Sequence, residues 1–160
     1  MYKPNSLRKH ITEANPDLKD NPDKLLVFAD EGKVVGTGTE SLSFEYNYRL
    51  NLIITDYTGD SDAIMVPLLA WLQHHQPDLL ANPDKRANGI RFSVDFNNHE
   101  SIDLSLEIDL SERVIVNKVA NGLQITHAGE AIQTPNFDQD FWQLYSGDNL
   151  LAQWRLSGTT

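Results

Sequence analysis

Apolar and polar residues alternate along several stretches of the chain, and that period of two predicts β-strands. From Leu42 to Ile54 the apolar positions Leu42, Phe44, Tyr46, Tyr48, Leu50, Leu52 and Ile54 share one face, opposite Ser43, Glu45, Asn47, Arg49 and Asn51. Ile90, Phe92, Val94 and Phe96 repeat the pattern, as do Ile102, Leu104, Leu106, Ile108 and Leu110. Asn97 to Glu100 supply the turn that makes these last two an antiparallel hairpin. Further strands are expected at Arg113–Val119 and Leu123–His127, joined by the turn pair Asn121-Gly122. The segment LLVFADEGKVV is expected to fold as a hairpin about Glu31-Gly32.

Between these strands lies TDYTGDSDAIMVPLLAWLQHHQPDLL, residues Thr55 to Leu80. Its centre, AIMVPLLAWL, has no polar side for almost three turns, so the helix it predicts is apolar all round. Ile64, Leu68 and Trp71 can pack on the sheet, which leaves Met65, Val66, Leu69 and Leu72 in need of cover, and another subunit is a reasonable source. Leu69 and Leu72 are the members expected to be exposed. Pro67 removes a backbone donor and is expected to bend the helix unless the helix starts only a few residues before it. Asn5 or Ser6 can cap a short N-terminal helix running to about Ala14, where Asn15-Pro16 ends it, and PDLKDNPDKLL continues as turns or a second short helix. The fold class expected is α+β, mainly an antiparallel β-sheet packed against one long central helix plus a short N-terminal helix.

The C-terminal stretch NFDQDFWQLYSGDNLLAQWRL gathers Phe137, Phe141, Trp142, Leu144, Tyr145, Leu150 and Trp154. Aromatics at this density are enriched at interfaces, and a tail that covers the core reads the same way on composition. Residues 135–160 are therefore a candidate interaction segment within a single domain spanning 1–160, and Met65, Leu69, Leu72, Phe141, Trp142 and Trp154 are the candidate subunit-interface residues.

Composition narrows the function classes. A chain of 160 residues, 40% hydrophobic and 22% charged, is long enough for one domain with its own core. The absence of cysteine excludes disulfides, thiol nucleophiles and Cys-ligated metals. The longest apolar run, Ala63 to Leu72, is about half of the roughly 20 residues that cross a bilayer, and MYKPNSLRKHIT lacks the apolar core of an export signal. A reducing cytosol and no membrane are expected. Thirteen Lys and Arg against 23 Asp and Glu give a charge of −10, which repels nucleic acid, so no specific nucleic-acid binding is expected.

Candidate chemistry is sparse. Asp60-Ser61-Asp62 resembles the start of a calcium loop, but Ala63, Ile64, Met65 and Val66 follow where oxygen ligands are required, so helix capping by Asp60 or Ser61 is the expectation. His74 and His75 are adjacent on a helix, point about 100° apart and cannot converge on one ion. GTGTES lacks the third glycine of a dinucleotide loop and precedes a strand, and no GxSxG, HExxH or GxxxxGK[ST] occurs. Asp103, Ser105, Glu107 and Asp109 share one strand face, with carboxylates two apart separated by roughly 7 Å. That spacing suits an inverting glycosidase, whereas such a row is usually the wet side of a sheet or the lining of a wet channel. The expectation is no catalytic, cofactor or metal site; a small acidic hydrolase using Glu107 and Asp109 is the alternative.

The blocks KPNSLRKHIT, NPDKLLVFADEG, SLSFEYNYRLNLIITDYTGDSD, IMVPLLAWLQHHQPD and LYSGDNLLAQW resemble the tail completion protein R family of peduovirus-type contractile-tailed phages. The resemblance runs over nearly the whole chain and is weakest from Thr126 to Asp140. It implies a structural virion protein, a tail terminator-like domain, that completes tube and sheath at the head-proximal end and enables head-tail joining, as a hexameric ring. The partners implied are further copies of the chain, tail tube and sheath proteins, and head-tail connector proteins; the places implied are the virion tail and, during assembly, the host cytoplasm. In such a ring an outward face meets either solvent or the channel, and Asp103, Glu107 and Asp109 become channel-lining candidates. A monomeric adaptor or chaperone for tail assembly is a further alternative.

Overall fold

A computed structural model describes residues 1–130 and 141–155. Strand β1 (Leu25–Gly36) pairs with β2 (Phe44–Tyr57), β2 with β4 (Ile102–Val119), and β4 with both β3 (Ile90–Phe96) and β5 (Gly122–His127), all antiparallel. The order is β1-β2-β4-β3, with β5 extending β4 on the side that β3 also occupies. The period-two pattern sets which face is buried: Tyr48, Leu50, Leu52 and Ile54 of β2 and Leu104, Leu106, Ile108 and Leu110 of β4 lie in the core. Arg113–Val119 is no separate strand but the second half of β4, which runs unbroken for 18 residues.

LLVFADEGKVV does not turn back on itself. Both halves pair with β2, and the register slips between Asp30 and Lys33 around Glu31, whose φ is 49°. Glu-Gly at this point makes a bulge, because the apolar residues on either side continue along one strand and find β2 as a common partner.

One face of the sheet carries the helices. The helical layer is not a single long element with a short companion: α1 (Lys3–Ala14) has 12 residues and α3 (Asp62–His75) has 14. Short helices α2 (Pro16–Asp20), α4 (Pro77–Ala81) and α5 (Pro83–Asn88) each start with proline followed by aspartate, the residue pair that suits a first helical turn. Leu7 and Ile11 of α1, Leu18, Leu79, and Ile64, Leu68, Trp71 and Leu72 of α3 complete the core. Helix α1 begins at Lys3, before the expected Asn5 or Ser6 cap, with Pro4 in its first turn. Glu112 of β4 serves as its acceptor, taking the backbone N–H of Tyr2 at 2.7 Å and of Lys3 at 3.4 Å. At α3 the Asp60 carboxylate accepts the Asp62 N–H at 2.9 Å, while Ser61 makes no side-chain cap.

A separate hairpin, β6 (Phe141–Ser146) and β7 (Asn149–Arg155), turns at Gly147 with φ 58°. Its pairs Trp142↔Trp154 and Leu144↔Ala152 face Ala14 of α1 and Ala63 and Ala70 of α3. The chain's own C-terminal strands thus cover Ala63 and Ala70 of α3.

Candidate functional site

Two surfaces carry the residues singled out from the sequence. On the helical side, Leu72 is fully buried, 0% exposed, because it continues the i, i+4 stripe of Ile64 and Leu68 into the core. It therefore leaves the set of exposed interface candidates. Met65 is half-buried against the same core, and Leu69, 41% exposed, remains at the surface beside Val66. Trp154 is buried between the C-terminal hairpin and the helices, its ring 6.4 Å edge-on from His10, and Trp142 packs half-buried against the same cluster. Trp154, one of the subunit-interface candidates, is thus covered within the chain. Phe141 stays exposed under the Arg155 guanidinium, 5.2 Å from the ring centre. Residues 135–140 and 156–160 of the expected interaction segment, and Phe137 with them, lie outside the described residues.

The second surface is the helix-free face of the sheet. Asp103, Glu107 and Asp109 project there as the alternation of β4 requires, but the face is a ladder of both signs. Register places Arg49 of β2 opposite Asp109 and Arg91 of β3 opposite Glu107. Arg91 reaches Glu107 at 3.1 Å and Asp109 at 3.2 Å; Arg49 lies 3.5 Å from Asp109, 3.8 Å from Glu107 and 2.8 Å from Glu31 of β1. Hydrogen bonds to Asp109 and Glu107 raise the Arg91 pKa further above its ordinary range. Asp103 accepts from the Asp56 N–H at 2.9 Å and from Asn97 at 2.8 Å, which hold its pKa below the usual carboxylate value. Arg49 was visible on the polar side of its strand, but no sequence signal paired that strand with the carboxylates.

This arrangement does not suit a hydrolase using Glu107 and Asp109. Glu107 and Asp109 are engaged by the same guanidiniums, so neither is a free proton donor facing a base across a cleft. Two open depressions, one where α4 and α5 meet β4 and one between β1, β2 and β4, are lined by ion-paired and amide side chains, among them Asn47, Arg49, Asp78, Lys85 and Asp109. Among the described residues no three or more His, Asp or Glu side chains are grouped to hold a metal. His75 stacks on Trp71 at 4.3 Å and meets the Trp71 carbonyl through Nδ1 at 3.0 Å, and burial lowers its pKa.

A buried polar network went unnoticed in the sequence. Lys3, wholly enclosed, donates from Nζ to Gln76 at 2.8 Å, to the Ser111 carbonyl at 2.7 Å and to Glu130 at 3.0 Å. Burial lowers its pKa, against the opposing pull of Glu130. Glu112, 1% exposed, also accepts from the Tyr48 hydroxyl at 2.6 Å. The network ties α1, the α3–α4 junction and β4 together; a lysine in a first helical turn gives no sequence sign that it will be enclosed.

A family model described as P2 phage tail completion protein R (GpR) matches residues 1–131. Tail completion protein R of Escherichia phage P2 is 40% identical over 154 residues, which cover 96% of this chain and 99% of that protein. No solved structure matches. Among the described residues no helix is long and apolar enough to cross a membrane.

Proposed function

The chain belongs to the P2 phage tail completion protein R family, whose members are structural tail proteins and not enzymes, and from that premise we propose that it closes the head-proximal end of a contractile tail as a ring of six copies. The observation that carries this reading is the relative named tail completion protein R, aligned over 96% of the chain. In the ring, further copies, tail tube and sheath, and the head-tail connector are the contacts, and assembly takes place in the host cytoplasm.

The helix-free face of the sheet faces the channel in this reading, with the helices outward. Two features support that orientation. Around Arg49, Arg91 and the β4 carboxylates the face is polar, so that part can stay wet once the ring is closed, while Leu26, Phe28 and Val35 of β1 lie exposed on the same face. The face also keeps carboxylates at Asp30, Asp95 and Asp103 beyond those clamped by Arg49 and Arg91, and an anionic lining does not hold phosphate.

The test is a phage in which this reading frame is interrupted, with the lysate examined by electron microscopy. Filled heads and tails that fail to join are expected, with joining restored by adding the purified protein. Normal virions from the interrupted phage would contradict the proposal, and rescue by a protein then absent from the finished virion would point to the assembly-adaptor reading instead.

A further inference from the structure

Among the open edges of the sheet, those of β1 and β3 are unlike, and their hydrogen-bonding groups, side chains and charges match. On β1, Arg8 donates to the carbonyls of Leu25 at 3.2 Å and Val27 at 3.4 Å, which closes the first half of that edge to strand addition. The second half, beyond the bulge, is open. Thr37 N–H bonds to Ser43 in the continuing β1–β2 register, so Lys33 and Val35 bond toward β2 and the backbone groups of Val34 and Gly36 point outward. On β3, the bonds Asn97 N–H to Ser101 and Asp109 N–H to Gly89 fix the same alternation: Arg91, Ser93 and Asp95 bond toward β4, and Phe92, Val94 and Phe96 point their backbone groups outward. Phe92 and Phe96 are 67% and 81% exposed and Val34 is 67% exposed, a concentration of apolar surface along two unpaired edges.

We propose that β3 of one copy pairs antiparallel with the open half of β1 of the next, Val94 opposite Val34, which continues the sheet from copy to copy. The inference rests on the self-assembly part of the tail-completion reading. Strand polarity permits it: β1 and β3 run in opposite directions within one sheet, so a neighbour placed in the same orientation presents an antiparallel partner. Val34 and Val94 both lie on the helix side, so the helices of successive copies stay on one face. This register sets Phe92 over Gly36, where a side chain would meet nothing within 4 Å, and Phe96 beside Gly32 at the bulge. An aromatic ring laid across a glycine fills the gap that glycine leaves in a sheet. It also sets Lys33 opposite Asp95. Neither takes part in an ion pair among the described residues, and Asp95 stands directly across from Asp103, a like charge. A slip of two residues in one direction puts Asp95 against Glu31, and in the other against Val35, so the charges select the register. Because the two edges differ, the contact is head-to-tail, the kind that closes rings.

The chain has no cysteine, so cross-linking is clean. Hydrogen-bonded antiparallel partners have Cα atoms about 5.5 Å apart, within disulfide range. Val34→Cys and Val94→Cys copies, mixed and mildly oxidised, are expected to give a covalent dimer, each variant alone none, and the double variant a ladder of linked copies. Lys33→Asp or Asp95→Lys alone is expected to weaken association at least about fivefold, and the two together to restore it. A dimer from Val94→Cys alone would replace the proposal with a two-fold β3 contact. An oligomer by light scattering with no cross-link in the mixture would overturn the edge pairing while leaving self-assembly intact; a chain monomeric both in solution and in isolated tails would overturn both.

Discussion

Replacing Glu112 tests how much of the fold rests on its enclosed polar network. The carboxylate is almost entirely buried and accepts from Tyr48 Oη at 2.6 Å and from the Tyr2 N–H at 2.7 Å, with the Lys3 N–H at 3.4 Å. Hydrogen bonds to a charged acceptor contribute about 1.5–3 kcal/mol each, and deleting a buried acceptor also leaves its donors without partners. Glu112→Ala is therefore expected to cost about 3–5 kcal/mol, a large share of the 5–15 kcal/mol of a typical domain. Tyr48→Phe removes one donor and leaves the carboxylate its backbone partners, so about 1–3 kcal/mol is expected. The double variant should cost about 1–3 kcal/mol less than the sum, since no hydroxyl remains to be orphaned. Burial pushes the Tyr48 pKa upward, with the Glu112 hydrogen bond next in weight, so the hydroxyl is a donor throughout the working pH range. Urea unfolding followed by far-ultraviolet circular dichroism reads all four proteins. A loss below about 1 kcal/mol for Glu112→Ala, or an additive cycle, would refute the argument.

Leu72→Glu is expected to prevent folding, as it puts a charge in the core, whereas Leu69→Glu should melt within a few degrees of the parent; equal melting temperatures would contradict the placement of Leu72. Burial lowers the pKa values of His10 and His75, so the unfolded chain takes up protons first as pH falls through about 6.5. Stability should thus hold above that pH and decline below it toward the folded-state values, and His10→Gln with His75→Gln should flatten the decline measured by urea midpoints. Trp154→Ala should cost about 3–5 kcal/mol by loosening the hairpin from Ala14 and Ala63, checked by thermal melting; an unchanged melt would mean that the hairpin does not cover the helices. Asp30→Lys with Asp103→Lys, which leaves the Arg49 and Arg91 pairs in place, should leave tails assembled but slow DNA ejection most at low salt, and unaltered ejection there would sink the channel orientation.

The strands were legible because a period of two with one wet face leaves little choice of side: Leu50 and Leu106 had to point inward together, and Asp103, Glu107 and Asp109 outward. The pattern could not give pairing partners. Arg49 and Arg91 therefore entered the acidic face unannounced, and the Glu31-Gly32 signal, equally good for a turn or a bulge, resolved as a bulge once β2 was available to both halves of β1. The apolar-all-round helix buries more than one side: Leu72 and Met65 join the sheet core, Ala63 and Ala70 meet the Trp142–Trp154 hairpin, and Val66 and Leu69 stay exposed. Lys3 and Glu112 escaped notice because each looks like an ordinary surface charge until α1 is laid across the end of β4.

The central claim is that this protein ends the tail where the head joins, and imaging the intact particle tests it most directly. A cryo-electron microscopy reconstruction of purified virions at the head-tail junction should show six copies of this fold in a ring between the last tube and sheath layer and the connector, helices outward. Finding the fold at the baseplate, or no copy of it in the virion, would contradict the account.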